Sequence, residues 1–145
     1  NKNGIEIVDD SYNANPASMQ AALTAFVADP CHGRRYAVLG DMRELGEDSE
    51  DAHRQLLKTV ISEPALHGIV AVGAAMGDAC RWLGLDEKNA LAQGRWLAHH
   101  ESVSQLWLRG LALALSNGDR ILVKGSNQVF WHVDFVEQLI ENIPA

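Results

Sequence analysis

Apolar positions along the chain follow two alternating periods. Short unbroken runs, GIEIVD (4–9), RYAVLG (35–40), GIVAVG (68–73) and RILVKG (120–125), are separated by longer segments in which apolar residues recur every three or four positions. The runs read as strands and the intervening segments as amphipathic helices. The spacing predicts helices over 16–28, 49–61, 74–83, from Ser102 to about Asn117–Gly118, and 128–140, with a weaker strand, GRWLAHH, over 94–100. Asn15 followed by Pro16 is a helix start, since an Asn side chain accepts a first-turn N–H and proline tolerates the first helical position. Ser102 and Gln105 are spaced as a capping box. Runs as apolar as GIVAVG are buried on both faces, which suits the middle of a parallel sheet.

The order is β-α repeated five times. It predicts an α/β, Rossmann-like fold: an open, mostly parallel sheet of about five or six strands with helices on both faces, in a single domain over 1–145. Ligands of such sheets bind beyond the carboxyl ends of the strands. Polar clusters stand at those ends here: DDSYNAN after the first strand, GDMREL after the second, HHE after the fourth and KGSN after the fifth. Four strand ends on one rim form the chief functional signal.

Each cluster has an ordinary structural reading beside a functional one. In DDSYNANP, Asn15 serves as a cap and Asp10 and Asn13 tie down the loop. Alternatively Asp10 accepts from a ribose hydroxyl while Tyr12 and Asn13 line a base or sugar pocket. In GDMRELGE, Asp41 or Glu44 faces the rim, or the loop is solvated and ends in a helix start at 47–49. In VKGSN, Lys124, Ser126 and helix N–H groups suit one carboxylate or phosphate oxygen, or a lysine simply precedes a helix start. The phosphate loop GxxxxGK[ST] does not occur in the sequence. His53 falls in step with Leu56, Leu57 and Val60 and reads as a hydrogen-bonded core residue. His99 and His100, adjacent on a strand, point to opposite faces and cannot readily share a metal ion. The four tryptophans fall in core patterns and read as packing.

Composition narrows the classes. At 145 residues, with 47% hydrophobic and 21% charged residues, the chain is long and apolar enough for one cored domain. A formal net charge of -7 argues against nucleic acid or an anionic membrane surface as principal partner. The longest apolar stretches are too short to span a bilayer. Two cysteines, Cys31 and Cys80, without metal or redox spacing, fit a reducing cytoplasm. The chain starts Asn1-Lys2-Asn3-Gly4 and leads almost directly into a strand, which reads as a piece of a longer protein.

The motifs DDSYNANPASMQAAL, then VLGDMRELGE with His53 downstream, GIVAVG and ILVKGS, in this order and across about 5–139, resemble the C-terminal domain of the Mur ligase family. Within that family they resemble the type that joins D-alanyl-D-alanine to UDP-N-acetylmuramoyl-tripeptide in peptidoglycan precursor synthesis. The resemblance implies a cytoplasmic, monomeric, ATP-dependent amide-bond ligase with Mg2+. Its N-terminal domain binds the UDP-sugar peptide, its central domain carries the phosphate loop, and a C-terminal domain like this one closes over ATP. It further implies that Asp10, Tyr12, Asn13 and Asn15 lie on the nucleotide side, Asp41 and Glu44 in the cleft loop, and Lys124, Ser126 and Asn127 on the acceptor side, with His53 structural. No catalytic residue, metal or bound cofactor is expected of this chain alone. The pattern departs from the family in one place. An arginine usually follows KGS, with Met-Glu a few residues later, and here Asn127 and Trp131-His132 stand instead. A different acceptor, an amino acid or glutamate, and a non-catalytic nucleotide-binding module are the rival readings.

Overall fold

The computed structural model describes residues 1–11, 14–85, 96–126 and 128–144, the side chains of Trp96 and His132 excepted. Five strands, β1 (Glu6–Asp10), β2 (Arg35–Gly40), β3 (Leu66–Val72), β4 (Trp96–His100) and β5 (Arg120–Lys124), form one sheet in the order β1-β5-β2-β3-β4. Every neighbouring pair is parallel. Among the described residues five α-helices accompany it: α1 (Pro16–Ala28), α2 (Ser49–Ile61), α3 (Ala74–Leu83), α4 (Gln105–Ala114) and α5 (Phe135–Asn142).

The strand order explains where the helices lie. From β1 through β4 the chain always steps the same way across the sheet, and crossovers of a single hand then put α1, α2 and α3 on one face. Between β4 and β5 the chain steps back, so α4 belongs to the other face. The two cores agree. Met19, Leu23, Leu57, Val60 and Met76 pack on Ala37, Leu39 and Leu122. Leu108, Leu111, Phe135 and Leu139 pack on Val38, Ile121 and Val123. The alternation along β2 and β5 thus serves two apolar faces, which is why those runs read as unbroken.

Three expectations change. The helix expected over 128–140 is a 3-10 turn at Trp131–Val133 followed by α5, joined through Asp134 in the left-handed region at φ 52°. On one continuous helix Phe130 and Phe135 would point about 140° apart. The break lets both rings be fully buried and stack at 5.0 Å. Helix α4 starts after Ser104, and the capping box from Ser102 does not form. The Ser102 carbonyl instead accepts from the Trp107 indole N–H at 2.9 Å. Two tryptophans expected as core are exposed, Trp82 at 58% and Trp131 at 56%. Trp82 carries the Arg54 guanidinium 4.2 Å above its ring.

Two buried polar groups lock the periphery to the sheet. At the amino end of β5, Arg120 reaches Glu6 Oε1 at 3.0 Å, the Phe26 carbonyl at 3.1 Å and Asp29 Oδ2 at 3.4 Å. It joins β1, β5 and the end of α1. The hydrogen bond from Arg120 holds the Glu6 carboxyl below its ordinary value of 4.5. On α2, His53 is fully buried, and its Nε2 accepts from the Met42 N–H at 3.0 Å. That acceptor role makes Nδ1 the protonated nitrogen, donating to the Ser49 carbonyl at 2.6 Å. His53 is therefore the core hydrogen-bonding residue that its spacing indicated.

Replacing His53 with Leu leaves the Met42 N–H without its acceptor, so His53→Leu should destabilise the chain by about 2 kcal/mol. Thermal unfolding followed by circular dichroism should show a Tm several degrees lower, and an unchanged Tm would remove this role. A carboxyl whose folded pKa is depressed contributes stability above its unfolded pKa and loses it as pH falls through the folded value. Chain stability should therefore decline as pH is lowered below about 4.5. Glu6→Gln should flatten that decline in urea titrations, and an unaltered pH profile would show that the Arg120 contact does not set it.

Candidate functional site

The turn after β1 is built by its own side chains. Asp9 accepts the Ser11 N–H at 3.1 Å and the Ser11 hydroxyl. Asn15 caps α1, accepting the Ser18 N–H at 2.9 Å while Ser18 Oγ accepts the Asn15 N–H at 3.0 Å. Asn15 is thus placed as a reciprocal cap. Tyr12 and Asn13 lie outside the described residues. Asp10, with its side chain 48% exposed, accepts from Lys124 Nζ at 2.8 Å. The two residues are also register partners on β1 and β5. The sequence-level assignment placed Asp10 on the nucleotide side and Lys124 on the acceptor side, and the fold bonds one to the other.

Asp41 holds the centre of the rim. Its carboxylate accepts the Met76 N–H at 2.9 Å and the Ala75 N–H at 3.2 Å, capping α3 from a different strand. The residue at the helix's own cap position, Gly73, has no side chain to do so and stands at φ 120°. A Cβ there would lie 2.3 Å from the Asp41 carboxylate. The Asp41 N–H donates to the Val72 carbonyl at 3.0 Å, and its carbonyl accepts the Ser126 N–H at 3.1 Å. From the side of β4, His99 Nε2 lies 2.8 Å from the Gly73 carbonyl. His100, on the opposite face, stacks on Trp107 at 4.7 Å. Glu44 is exposed in the same loop as Asp41, in the left-handed region at φ 62°.

Ser126 is buried, and its Oγ accepts from Arg43 Nε at 3.2 Å. Arg43 was not singled out by sequence reasoning, although it stands in the GDMREL loop that was. Asn127 lies outside the described residues. A cavity of about 360 Å³ opens beside these groups. Asp41 and Arg43 from the end of β2, Gly73 and Ala74 from β3, Glu101 from β4 and Gln128 from β5 line it. Four strand ends do meet around one cavity, but the third takes the place expected of the first. The turn after β1 adjoins through the Asp10–Lys124 pair. Two further cavities, of about 160 and 350 Å³, lie between α1 and α2 and have no Lys or Arg in their lining. Among the described residues no group of three or more His, Cys, Asp or Glu is arranged to hold a metal ion, and no helix is long and apolar enough to cross a membrane.

The chain resembles proteins of known activity along most of its length. The UDP-N-acetylmuramoyl-tripeptide–D-alanyl-D-alanine ligase of Mycobacterium leprae is 30% identical over 140 residues, covering 87% of this chain and 26% of the relative. The Bacillus subtilis enzyme of the same name is 31% identical over 142 residues, covering 96% and 29%. Among solved structures, the MurF ligase of Thermotoga maritima in complex with ADP matches with a TM-score of 0.75 and 26% identity over 99% of this chain. A MurF from Acinetobacter baumannii matches with 0.75 and 28% over 97%. The chain spans just over a quarter of the length of these relatives. The family description "Mur ligase, glutamate ligase domain" matches residues 1–127. A five-stranded parallel sheet with a polar rim, matched by sequence and by fold to such ligases, places the chain in the Mur ligase family.

Proposed function

We propose that this chain is the C-terminal domain of an ATP-dependent ligase that joins D-alanyl-D-alanine to UDP-N-acetylmuramoyl-tripeptide in the cytoplasm. The agreement of sequence and fold with ligases of that name, over nearly the whole chain, carries this reading. The family description's word "glutamate" keeps a glutamate acceptor as the second reading. The named relatives favour the dipeptide.

ATP, when bound, supplies the phosphoryl group that activates the tripeptide carboxylate, and the dipeptide amine then displaces phosphate to leave an amide. The sequence lacks a phosphate loop, so on this reading the triphosphate and its Mg2+ are held by a central domain that, with an N-terminal substrate domain, accompanies this one in a monomer. What this domain offers fits the sugar and base. Asp10 exposes about half of its side chain while Lys124 fixes its direction, the arrangement needed of a carboxylate that accepts from a ribose hydroxyl. Tyr12 and Asn13 follow in the same sequence motif and are assigned to the nucleotide by the resemblance alone. Asn15 holds that turn to α1. Asp41 and Glu44 belong to the cleft loop, and Ser126 and Asn127 to the acceptor side. Domain closure brings amine and acyl phosphate together and excludes water that would hydrolyse the intermediate.

The ligase carrying this domain should release ADP only when both UDP-N-acetylmuramoyl-tripeptide and D-alanyl-D-alanine are present. Ligation of glutamate in place of the dipeptide would favour the second reading. In that enzyme Asp10→Ala should raise the KM for ATP by about tenfold, the effect of losing one charged hydrogen bond. An unchanged KM removes Asp10 from the ribose. The 145-residue chain alone should show no steady ATP hydrolysis, and turnover by the purified chain would overturn the division of labour between domains.

A further inference from the structure

Residues 2–5 form a tight turn with Asn3 and Gly4 at its centre. Lys2 and Ile5 exchange both backbone hydrogen bonds across it at 2.9 Å. The two central residues stand in the left-handed region, at φ 53° and 77°. This is the type I′ turn that Asn-Gly favours. Asn3 Nδ2 donates to the Pro144 carbonyl, and Lys2 Nζ donates to the Ile140 carbonyl at 2.8 Å, so the turn holds the carboxyl-terminal end of α5. Asn3 and Gly4 are exposed, and the Gly4 N–H has no hydrogen-bond partner among the described residues. The other Asn-Gly pair of the sequence, Asn117-Gly118, lies against this turn. There the Gly118 N–H donates to the Gly4 carbonyl at 2.9 Å, and the Gly118 carbonyl accepts from the Gly33 N–H at 2.9 Å. Asn117 is exposed as well. Exposure therefore does not separate the two pairs, whereas the bond on the nitrogen that follows each asparagine does.

We propose that Asn3 is a site of spontaneous deamidation and that the fold protects Asn117 from the same reaction. The Gly4 nitrogen loses its proton and attacks Asn3 Cγ. The Cγ–Nδ2 bond breaks, and the amide nitrogen takes up a proton and leaves as ammonia. Water then opens the five-membered imide at either carbonyl. One opening leaves aspartate; the other leaves isoaspartate, whose backbone runs through the side chain and is longer by a methylene. Glycine permits the ring because no Cβ crowds the attacking nitrogen. At Asn3 that nitrogen is free, and only the exposed contact with Pro144 has to open. At Asn117 the nucleophile is a donor in a backbone bond, so the reaction must first part Gly118 from Gly4. Either product sets a carboxylate, which cannot donate, against the Pro144 carbonyl. Isoaspartate also lengthens a turn that two residues close, and Lys2 and Ile5 lose their register. Both changes release the end of α5. The reactivity belongs to the turn itself and does not depend on the ligase reading.

The test is to hold the chain in mildly alkaline buffer below its melting temperature and to read the amide-to-carboxyl mass gain at each Asn-Gly pair by peptide mass spectrometry. Asn3 should convert at least about fivefold faster than Asn117, the effect of one backbone hydrogen bond. Isoaspartate, labelled by an isoaspartyl methyltransferase, should appear beside aspartate at position 3. In concentrated urea the two pairs should convert at similar rates. Asn3→Gln should remove the product at position 3 and leave the rate at Asn117 unchanged. The converted chain, separated by anion exchange, should show shifted amide signals over 140–143 in nitrogen-15 NMR spectra. The proposal is overturned if Asn117 keeps pace in the folded chain, if the difference persists in urea, or if aspartate forms without isoaspartate. Signals over 140–143 that stay in place would equally overturn the release of α5.

Discussion

The rim depends on the bond between the Asp41 carboxylate and the first turn of α3. Helix N-termini present N–H groups that need acceptors, usually from the residue at the cap. Here the cap position is Gly73, whose backbone at φ 120° leaves room for a carboxylate arriving from β2. The Asp41 backbone also fixes the end of β3 through the Val72 carbonyl and the segment after β5 through the Ser126 N–H. One aspartate thus registers three strand ends against one another. The cavity walls inherit their spacing from it, since Arg43 follows it by two residues and Ser126 hangs from its carbonyl.

That arrangement separates charges that hold the fold from charges that face outward. Asp41 and His53 are turned to backbone groups of the domain itself, and Arg120 to the start of the sheet. Asp10, Arg43 and Glu101 keep much of their surface in solvent at the carboxyl ends of the strands. On the proposed function, these outward charges orient partners, and phosphate activation falls to other parts of a larger enzyme. A net charge of -7 does not oppose this, because each contact is local.

Much of the architecture is legible in the sequence because each level agrees with the next. Unbroken runs such as VLG and IVAV can be buried only with helices on both faces, and Asn15-Pro16 marks a helix start without ambiguity. The misreadings have particular causes. The segment after β5 has a helical apolar period, but Phe130 and Phe135 both belong under the sheet, and the demand for two buried rings breaks the helix at Asp134. Ser104, not Ser102, stands at the start of α4 and makes no side-chain cap, while the Ser102 carbonyl accepts from the Trp107 indole. Trp82 is left outside because its ring serves Arg54 rather than the core. Among site residues, Asp41 stands at the rim as its place in the sequence suggests, but its bonds to α3 join segments that no local pattern connects. Arg43 attracted no notice because its partner, Ser126, lies far along the chain, and no periodicity announces such a contact.

The position of β5 sets a timetable for making this domain. It is the last strand to leave the ribosome, yet it lies second in the sheet and is the neighbour of both β1 and β2. Until it is synthesised β1 has no strand beside it, and the turn that carries Asp10 has no Lys124 to direct it. Non-local parallel pairing of this kind is paid for in loop-closure entropy before any contact rewards it. Until then β2, β3 and β4 can pair only with one another, leaving β2 and β4 as open edges, and the Asp10–Lys124 and Ser126–Asp41 bonds arise in the same final step. A chain that stops short of Lys124 has neither bond.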